Sequence, residues 1–143
     1  MIDQKELRIG NLVYYKYLRS APDERVYGEA VISGIHENGF QFKKITGNHS
    51  LVMDLRDFDP IPITPEWLER LGFDLDEDDG GRSVQVGNNC SIYHYPDYGF
   101  CIHYEFTAPN FHEFNQWHQP TSVHQLQNLF FCLCGEELKI KTQ

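Results

Sequence analysis

The amino-acid sequence predicts an α+β protein that consists mainly of antiparallel strands. Aromatic residues make up 14% and hydrophobic residues 41% of the 143 residues, which suffices for a globular core and favours strands. Short runs rich in Val, Ile and Tyr, separated by turn residues, fill the first 60 residues. Near the end of the chain, apolar residues recur at spacings of three and four, which indicates an amphipathic helix.

The first part of the chain, residues 1–60, is predicted to form a small SH3-like barrel. Asn38-Gly39 precedes one of its strands, and both residues tolerate the positive φ of a tight hairpin turn. Four or five short strands joined by tight turns are typical of small curled sheets of this type. The strand-like runs lie at residues 11–18, 25–35, 40–45 and 50–55.

The second part, residues 61–143, is predicted to be an α+β subdomain that forms one compact unit with the first. Pro60 and Pro62 exclude a continuous helix or an inner strand at the boundary. Thr64 can then cap a short bridging helix at residues 65–71, which has Pro65 in its first position.

Two further elements complete the second part. Residues 90–106 are predicted to form a β-hairpin around the turn Pro96–Gly99. Residues 123–134 are predicted to form a helix that Ser122 caps, and its apolar stripe packs on this second small sheet.

Charge and hydropathy exclude several classes of partner. The formal net charge of −9 repels phosphate backbones and anionic lipids, so neither nucleic acid nor a membrane is expected as a partner. The sequence has no apolar run long enough to cross a membrane, and its first residues lack the apolar core of a signal peptide. We therefore expect the protein in the cytoplasm with its four cysteines reduced.

The predicted hairpin contains a candidate metal site. If Tyr95 lies opposite Phe100, His94 lies opposite Cys101 and diagonal to His103. Two imidazoles and one thiolate at this separation can hold zinc, with a glutamate or water as fourth ligand. A mixed polar strand face in contact with water uses the same residue types and is the interpretation that the sequence favours. No cofactor is therefore expected, and zinc stays an alternative.

The chain contains no phosphate-binding loop, nucleophile elbow or HExxH motif, so a non-enzymatic function is expected. Large aromatic side chains anchor protein interfaces, which makes the aromatic segment after the hairpin a candidate contact surface. Closure of the core by the same aromatic residues is the alternative. The candidate contact residues are Tyr98, Phe111, Phe114, Trp117 and Arg82.

Three sequence blocks, "ELRIGNLVYY", "PIPITPEWLERLGF" and "VHQLQNLFFCLCGEELKI", resemble a set of uncharacterised small proteins from Bacteroidota genomes, prophages and phages. Their order and spacing match over nearly the whole chain, although Cys132 and Cys134 depart from the family pattern. The family has no known activity. The resemblance implies a phage or prophage accessory protein that acts in the bacterial host cell, binds a host protein, and inhibits a host factor or defence system.

Two other functions stay open. The first is a nucleotide or small-ligand binder that acts as a sponge, with Tyr93, Tyr98, His103 or Trp117 stacking on the ligand and Arg82 binding phosphate. The second is a zinc-binding protein or zinc enzyme built on the histidines and cysteine of the hairpin. DNA binding ranks last because of the negative charge.

Overall fold

The computed structural model of the chain describes residues 2–18, 25–47, 49–104 and 114–141, and for residues 17–18, 25–26 and 114–117 it describes the backbone only. Over these residues the protein has two five-stranded antiparallel sheets, a short helix and a C-terminal helix. The predicted α+β class, with its predominance of strands and its two helices, is confirmed.

The first sheet has a central strand with neighbours on both sides. Its strands are β1 (Leu12–Leu18), β2 (Arg25–His36), β3 (Gly39–Lys44), β4 (Ser50–Met53) and β5 (Phe58–Asp59). Their order across the sheet is β4-β3-β2-β1-β5. Because β1 pairs with both β2 and β5, side chains on its outer face are flanked by side chains from two other strands.

Alternation along the strands separates a buried face from an outer face. Val13 and Tyr15 of β1 are buried, and the ring of Tyr15 lies 4.9 Å from that of Phe42, between centroids. Phe42 also contacts Phe58 edge-to-face, with centroids 5.4 Å apart. The intervening residue Tyr14 therefore belongs to the outer face.

The hairpin between β2 and β3 turns one residue earlier than predicted. His36 pairs with Gly39, so the turn residues are Glu37 and Asn38. No described residue other than glycine has a positive φ, so the predicted turn geometry is wrong. Gly39 is needed for another reason, since a Cβ on it would meet the carbonyl oxygen of Met53 on β4.

The first sheet shows no closed barrel over the described residues. β2 changes register against β3 between Ile32 and Gly34, which bends the strand. A 3₁₀ turn at Leu55–Asp57, capped by Asp54, leads into β5. In this part of the chain β4 and β5 form the two edges of the sheet and do not pair. The SH3-like barrel therefore stays a prediction.

Helix α1 (Pro65–Arg70) begins where the proline-rich segment ends. The Thr64 side chain accepts a hydrogen bond from the backbone N–H of Trp67 at 3.4 Å, and Pro65 occupies the first turn, where no intrahelical donor is required. Trp67 and Leu68 are buried.

The second sheet is an antiparallel meander of five strands. Its strands are β6 (Asp74–Leu75), β7 (Arg82–Val86), β8 (Cys90–Tyr95), β9 (Gly99–Tyr104) and β10 (Phe114–His118), in the order β10-β9-β8-β7-β6. β10 lies in the aromatic segment after the hairpin, for which the sequence predicts neither a strand nor a helix. Its five residues pair with β9 along their whole length.

Helix α2 extends over Val123–Cys134. Ser122 stands at its N-cap position, because its carbonyl oxygen accepts the first intrahelical hydrogen bond, from the Leu126 N–H at 3.0 Å. Val123 and Leu126 are fully buried. Neither described helix combines the length and apolar character that a membrane span requires.

The chain divides into two compact units. Unit 1 contains residues 1–62 and 122–128, and unit 2 contains residues 63–121 and 129–143. The predicted boundary after residue 60 lies close to this division. The prediction assigned all of α2 to the second part, whereas its first half belongs to unit 1.

Candidate functional site

The outer face of the first sheet brings aromatic and charged side chains together. Tyr14 on β1 pairs with Glu29 on β2 and with Asp59 on β5, so that a carboxylate stands on each side of the ring. Two residues further along β1, Lys16 pairs with Tyr27 on β2. Side chains of directly paired residues project from the same face of a sheet, so these five residues share one surface.

The two tyrosines and the two acidic residues border a groove of about 700 Å³, which we call the tyrosine groove. The rings of Tyr14 and Tyr27 meet edge-to-face with centroids 6.3 Å apart and an interplanar angle of 62°. Tyr27 is 51% exposed, so its ring is accessible to a partner. The groove is lined by Tyr14, Tyr27, Glu29, Asp59 and Pro60.

Lys16 forms an ion pair with one acidic residue of the groove. Lys16 Nζ is 2.9 Å from Asp59 Oδ1, and the two side chains are 25% and 30% exposed. The surface therefore carries both acidic and basic groups beside its two tyrosine rings.

The register of the second hairpin differs from the prediction by one residue. Tyr95 pairs with Gly99 and not with Phe100. The Tyr98 N–H donates to the Tyr95 carbonyl oxygen at 3.1 Å, and Gly99 follows with φ of 89°. The left-handed glycine closes a three-residue hairpin loop and is the first residue of the second strand.

This shift separates the three predicted metal ligands. His94 lies opposite Phe100, with ring centroids 4.6 Å apart. Cys101 and His103 lie on the other face of the sheet, since a slip of one residue exchanges the faces. The predicted register was wrong, and the site that depended on it is not assembled. Among the described residues no three His, Cys, Asp or Glu side chains are placed to hold a metal ion together.

Burial makes Cys101 a poor metal ligand but favours the neutral ring of His94, which is the form that can bind a metal. Cys101 is 6% exposed, and burial raises the pKa of its thiol, which favours the protonated form that does not bind zinc. Burial lowers the pKa of His94, and the charge of Arg82 lowers it further.

The predicted contact residues have separate positions. Tyr98 is 69% exposed at the tip of the hairpin. Arg82 is half-buried on β7 and pairs with His94. Phe111 lies outside the described residues, and Phe114 and Trp117 are described by their backbone alone.

The register also bears on the predicted nucleotide site. Arg82 and His94 pair directly, so they project from the same face of the second sheet. Tyr93 and His103 project from the opposite face and contact each other, with ring centroids 6.0 Å apart. The structure therefore does not bring the predicted phosphate ligand together with these two stacking side chains.

A buried polar chain connects the start of α2 to the N-terminal segment within unit 1. His124 is 1% exposed, and its Nδ1 lies 3.0 Å from Ser122 Oγ while its Nε2 lies 3.3 Å from Glu6 Oε2. Burial lowers the pKa of His124, although the Glu6 carboxylate opposes this shift. Serine, histidine and glutamate also form hydrolase triads, but Ser122 is 3% exposed and cannot meet a substrate. The arrangement has a structural role.

Two amides of α2 extend this polar contact. Gln127 is 1% exposed, and its Oε1 accepts a hydrogen bond from the Leu12 N–H at 2.7 Å. Asn128 donates to the Glu6 carbonyl oxygen at 2.6 Å and accepts from Asn11 Nδ2 at 3.0 Å. These bonds satisfy polar groups that would be costly to bury unpaired.

Sequence reasoning missed both the tyrosine groove and this polar contact. The residues of the groove come from three strands, and the hydrogen bonds of the polar contact join residues more than 100 positions apart. Along β1, Tyr14 and Lys16 alternate with the buried residues Val13 and Tyr15, which indicates that they share the outer face of the sheet but does not reveal the groove.

Comparison of the chain with protein-family models, with curated proteins and with solved structures finds no match.

Proposed function

We propose that this protein is a non-enzymatic interaction module that binds a host protein, in the manner of a phage or prophage accessory protein. The observation that carries the proposal is the tyrosine groove, where two tyrosine rings border an accessible surface between three strands. Tyrosine is enriched at protein interfaces, because its ring supplies a large contact area at low cost in side-chain entropy.

The phage context of the proposal comes from the three sequence blocks given above. In that context, the protein would bind a host factor or a defence protein and thereby inhibit it. A small acidic protein suits this role, since its net charge of −9 keeps it soluble and discourages contact with nucleic acid.

The finer description of the first sheet as an SH3-like barrel belongs to this proposal. Its support is the strand order β4-β3-β2-β1-β5, the bend in β2, and the 3₁₀ turn before β5. Such small sheets present one outer face to partners while the other face carries the core.

Phosphate recognition is the weaker alternative. The tyrosine groove carries carboxylates. In unit 2, hydrogen bonds from the Thr64 hydroxyl and from the backbone lower the pKa of the Glu66 carboxyl group, and the nearby charge of Arg82 lowers it further. A nucleotide would therefore meet negative charge at both places. Zinc binding stays an alternative without a described ligand set.

The proposal is tested by affinity capture with two matched variants. Tyr27 and Tyr98 are both exposed, one in each unit, so Tyr27→Ala and Tyr98→Ala each remove one exposed ring at little cost in stability. From lysate of a Bacteroidota host, we expect a partner that wild type retains and that Tyr27→Ala retains at least about tenfold less. Quantitative mass spectrometry measures the ratio.

The two variants separate the possible outcomes of that capture. Equal retention of every protein by wild type and by both variants would contradict an interaction module that uses either ring. Loss with Tyr98→Ala alone would move the contact surface from the groove to the hairpin tip.

A further inference from the structure

Strand β4 forms an open edge of the first sheet. It pairs with β3 on one side, and in the described part of the chain no strand pairs with its other side. In an antiparallel ladder, every second residue directs its backbone N–H and C=O to a given side. Two of the four residues of β4 therefore present backbone donors and acceptors away from the sheet. The group that matches such a row is another extended backbone.

Two other sheet edges are protected in ways that β4 is not. β5 has two residues and is followed by Pro60, which has no N–H to donate. β6 also has two residues, and Asp74 places a charge in it. β4 contains no charged residue and no proline, and it pairs with β3 without a bulge. Natural sheets use such devices to prevent pairing with other chains, so β4 is open to that pairing.

The side chains of β4 offer apolar surface on both faces of the sheet. Leu51 is 46% exposed and Val52 is 58% exposed. Leu51 pairs with Phe42, which is fully buried, so Leu51 extends the core face to the edge of the sheet. Val52 pairs with Gln41 and belongs to the outer face. A strand added at β4 would cover both exposed side chains.

We propose that two copies of this chain associate by antiparallel pairing of their β4 strands, which joins their first sheets into one. This pairing is isologous, so the same four residues stand on both sides and the assembly closes at two copies. With Leu51 opposite the second copy's Leu51, an apolar row connects Phe42 of one copy to Phe42 of the other. In this register Ser50 meets the second copy's Val52, and no charged side chain lies in the paired strands.

The distribution of charge permits this association although the whole chain is acidic. Unit 1 has 8 basic and 9 acidic residues, a net charge of −1, whereas unit 2 has 4 basic and 12 acidic residues, a net charge of −8. Asp54, which follows β4 directly, forms an ion pair with Arg56 at 3.1 Å. Charge therefore opposes self-association through unit 1 far less than through unit 2. A charged partner would find no charge on β4 to complement.

This association goes beyond the proposed function and does not depend on it. The tyrosine groove is lined by residues of β1, β2 and β5, whereas β4 is the opposite edge of the same sheet. Pairing along β4 therefore covers neither groove of the dimer. Two grooves presented together would retain a partner with two binding segments more strongly than one groove does.

Sedimentation equilibrium of the full chain over a range of concentrations tests the proposal. A four-residue pairing is at the small end of specific interfaces, so we expect a monomer–dimer equilibrium with a dissociation constant on the order of 100 μM. Val52→Lys places a charge on the edge strand and should raise this constant at least about tenfold. Ile9→Lys makes the same kind of change outside β4, at a residue of unit 1 that is 57% exposed, and should leave the constant unchanged. Thermal unfolding confirms that both variants are folded.

Amide hydrogen exchange of the wild-type chain gives a second measurement that needs no variant. The outward N–H groups of β4 are exposed in the monomer and hydrogen-bonded in the dimer. We expect them to exchange about threefold more slowly at about 1 mM than at about 50 μM protein, in line with the smaller monomer fraction. The N–H groups of β2, which pairs with β1 and β3, should show no such dependence on concentration.

Several results would overturn the inference. A chain that is still monomeric at about 1 mM, or a dimer that Val52→Lys leaves unchanged, would exclude pairing through β4. Equal weakening by Val52→Lys and Ile9→Lys would indicate unspecific apolar association. Growth beyond the dimer would contradict a closed two-fold interface. A dimer in which the β4 amides exchange as fast as in the monomer would place the contact elsewhere.

Discussion

The two sheets use tyrosine on their outer faces in different ways. In the second sheet, Tyr93 and Tyr95 stack with centroids 6.2 Å apart and an angle of 12°, and His103 packs edge-on against Tyr93 at 6.0 Å. In the first sheet, Tyr14 meets Tyr27 at one edge and otherwise stands between two carboxylates. One sheet thus uses its rings to contact each other, and the other leaves ring surface for a ligand.

Strand register causes this difference. Tyr93 and Tyr95 lie on one strand, and period-two alternation always places such a pair side by side. Tyr14 is flanked by acidic residues because β1 pairs on both sides with strands that carry a carboxylate at that position. The same residue type therefore packs against other rings in one unit and leaves ring surface exposed in the other.

The largest expected effect concerns the turn that sets the register of the second sheet. Gly99 has φ of 89°, and a Cβ on it would meet the side chain of Gln119. We expect Gly99→Ala to lower the free energy of unfolding by about 1–3 kcal/mol, because alanine is strained at this φ. Urea denaturation measures the change.

Gly87→Ala is the control for that prediction. Gly87 has φ of 67° with no atom within 4 Å of an added Cβ, so this variant carries the strain without the crowding. A loss for Gly99→Ala smaller than that for Gly87→Ala would argue against the turn described here.

The comparison of the two sheets also predicts that two tyrosine variants differ in their free energy of unfolding. Tyr93→Ala removes a ring that contacts two others, and we expect a loss of about 2 kcal/mol. Tyr27→Ala removes an exposed ring, and we expect a loss of about 0.5 kcal/mol. Chemical denaturation of both variants checks the difference, and equal losses would remove the distinction between the two faces.

The buried histidine of unit 1 predicts a dependence of stability on pH. Burial lowers the pKa of His124, so the unfolded chain, with a histidine pKa of about 6.5, binds a proton more readily than the folded chain. The free energy of unfolding should therefore fall as pH decreases below about 6.5. His124→Gln should flatten this part of the profile, measured as urea midpoints at several pH values. An unchanged slope in the variant would show that His124 does not cause it.

The smallest expected effect is that of Lys16→Met on stability. The ion pair with Asp59 is partly exposed, and such pairs contribute less than about 1 kcal/mol. We expect a change in the thermal midpoint close to that of Lys43→Met. A large loss would mean that this ion pair supports the sheet more strongly than its exposure suggests.

Local chemistry made most of the secondary structure predictable. The start of each helix is encoded within a few residues. For α1 the signal is Thr64 followed by Pro65, and for α2 it is Ser122 before an apolar stripe. β10 escaped prediction because its residues have no clear alternation, and its pairing with β9 is what makes it a strand.

The site was predicted poorly because it depends on register. Gly99 is the first residue of β9 and not the last residue of the loop. This shift of one residue changes which side chains of β9 share a face with those of β8. The tyrosine groove requires β1 to meet β5, and Tyr14 and Asp59 are separated by more than 40 residues in the chain. Neither pairing is determined by residues that are adjacent in sequence.

The central claim is that a partner contacts this protein at the tyrosine groove. Site-specific photo-crosslinking tests it directly, with p-benzoylphenylalanine replacing Tyr27 in one variant and Tyr98 in another. We expect a partner adduct from position 27 and little or none from position 98. An adduct from position 98 alone, or adducts of equal yield from both positions, would contradict this claim.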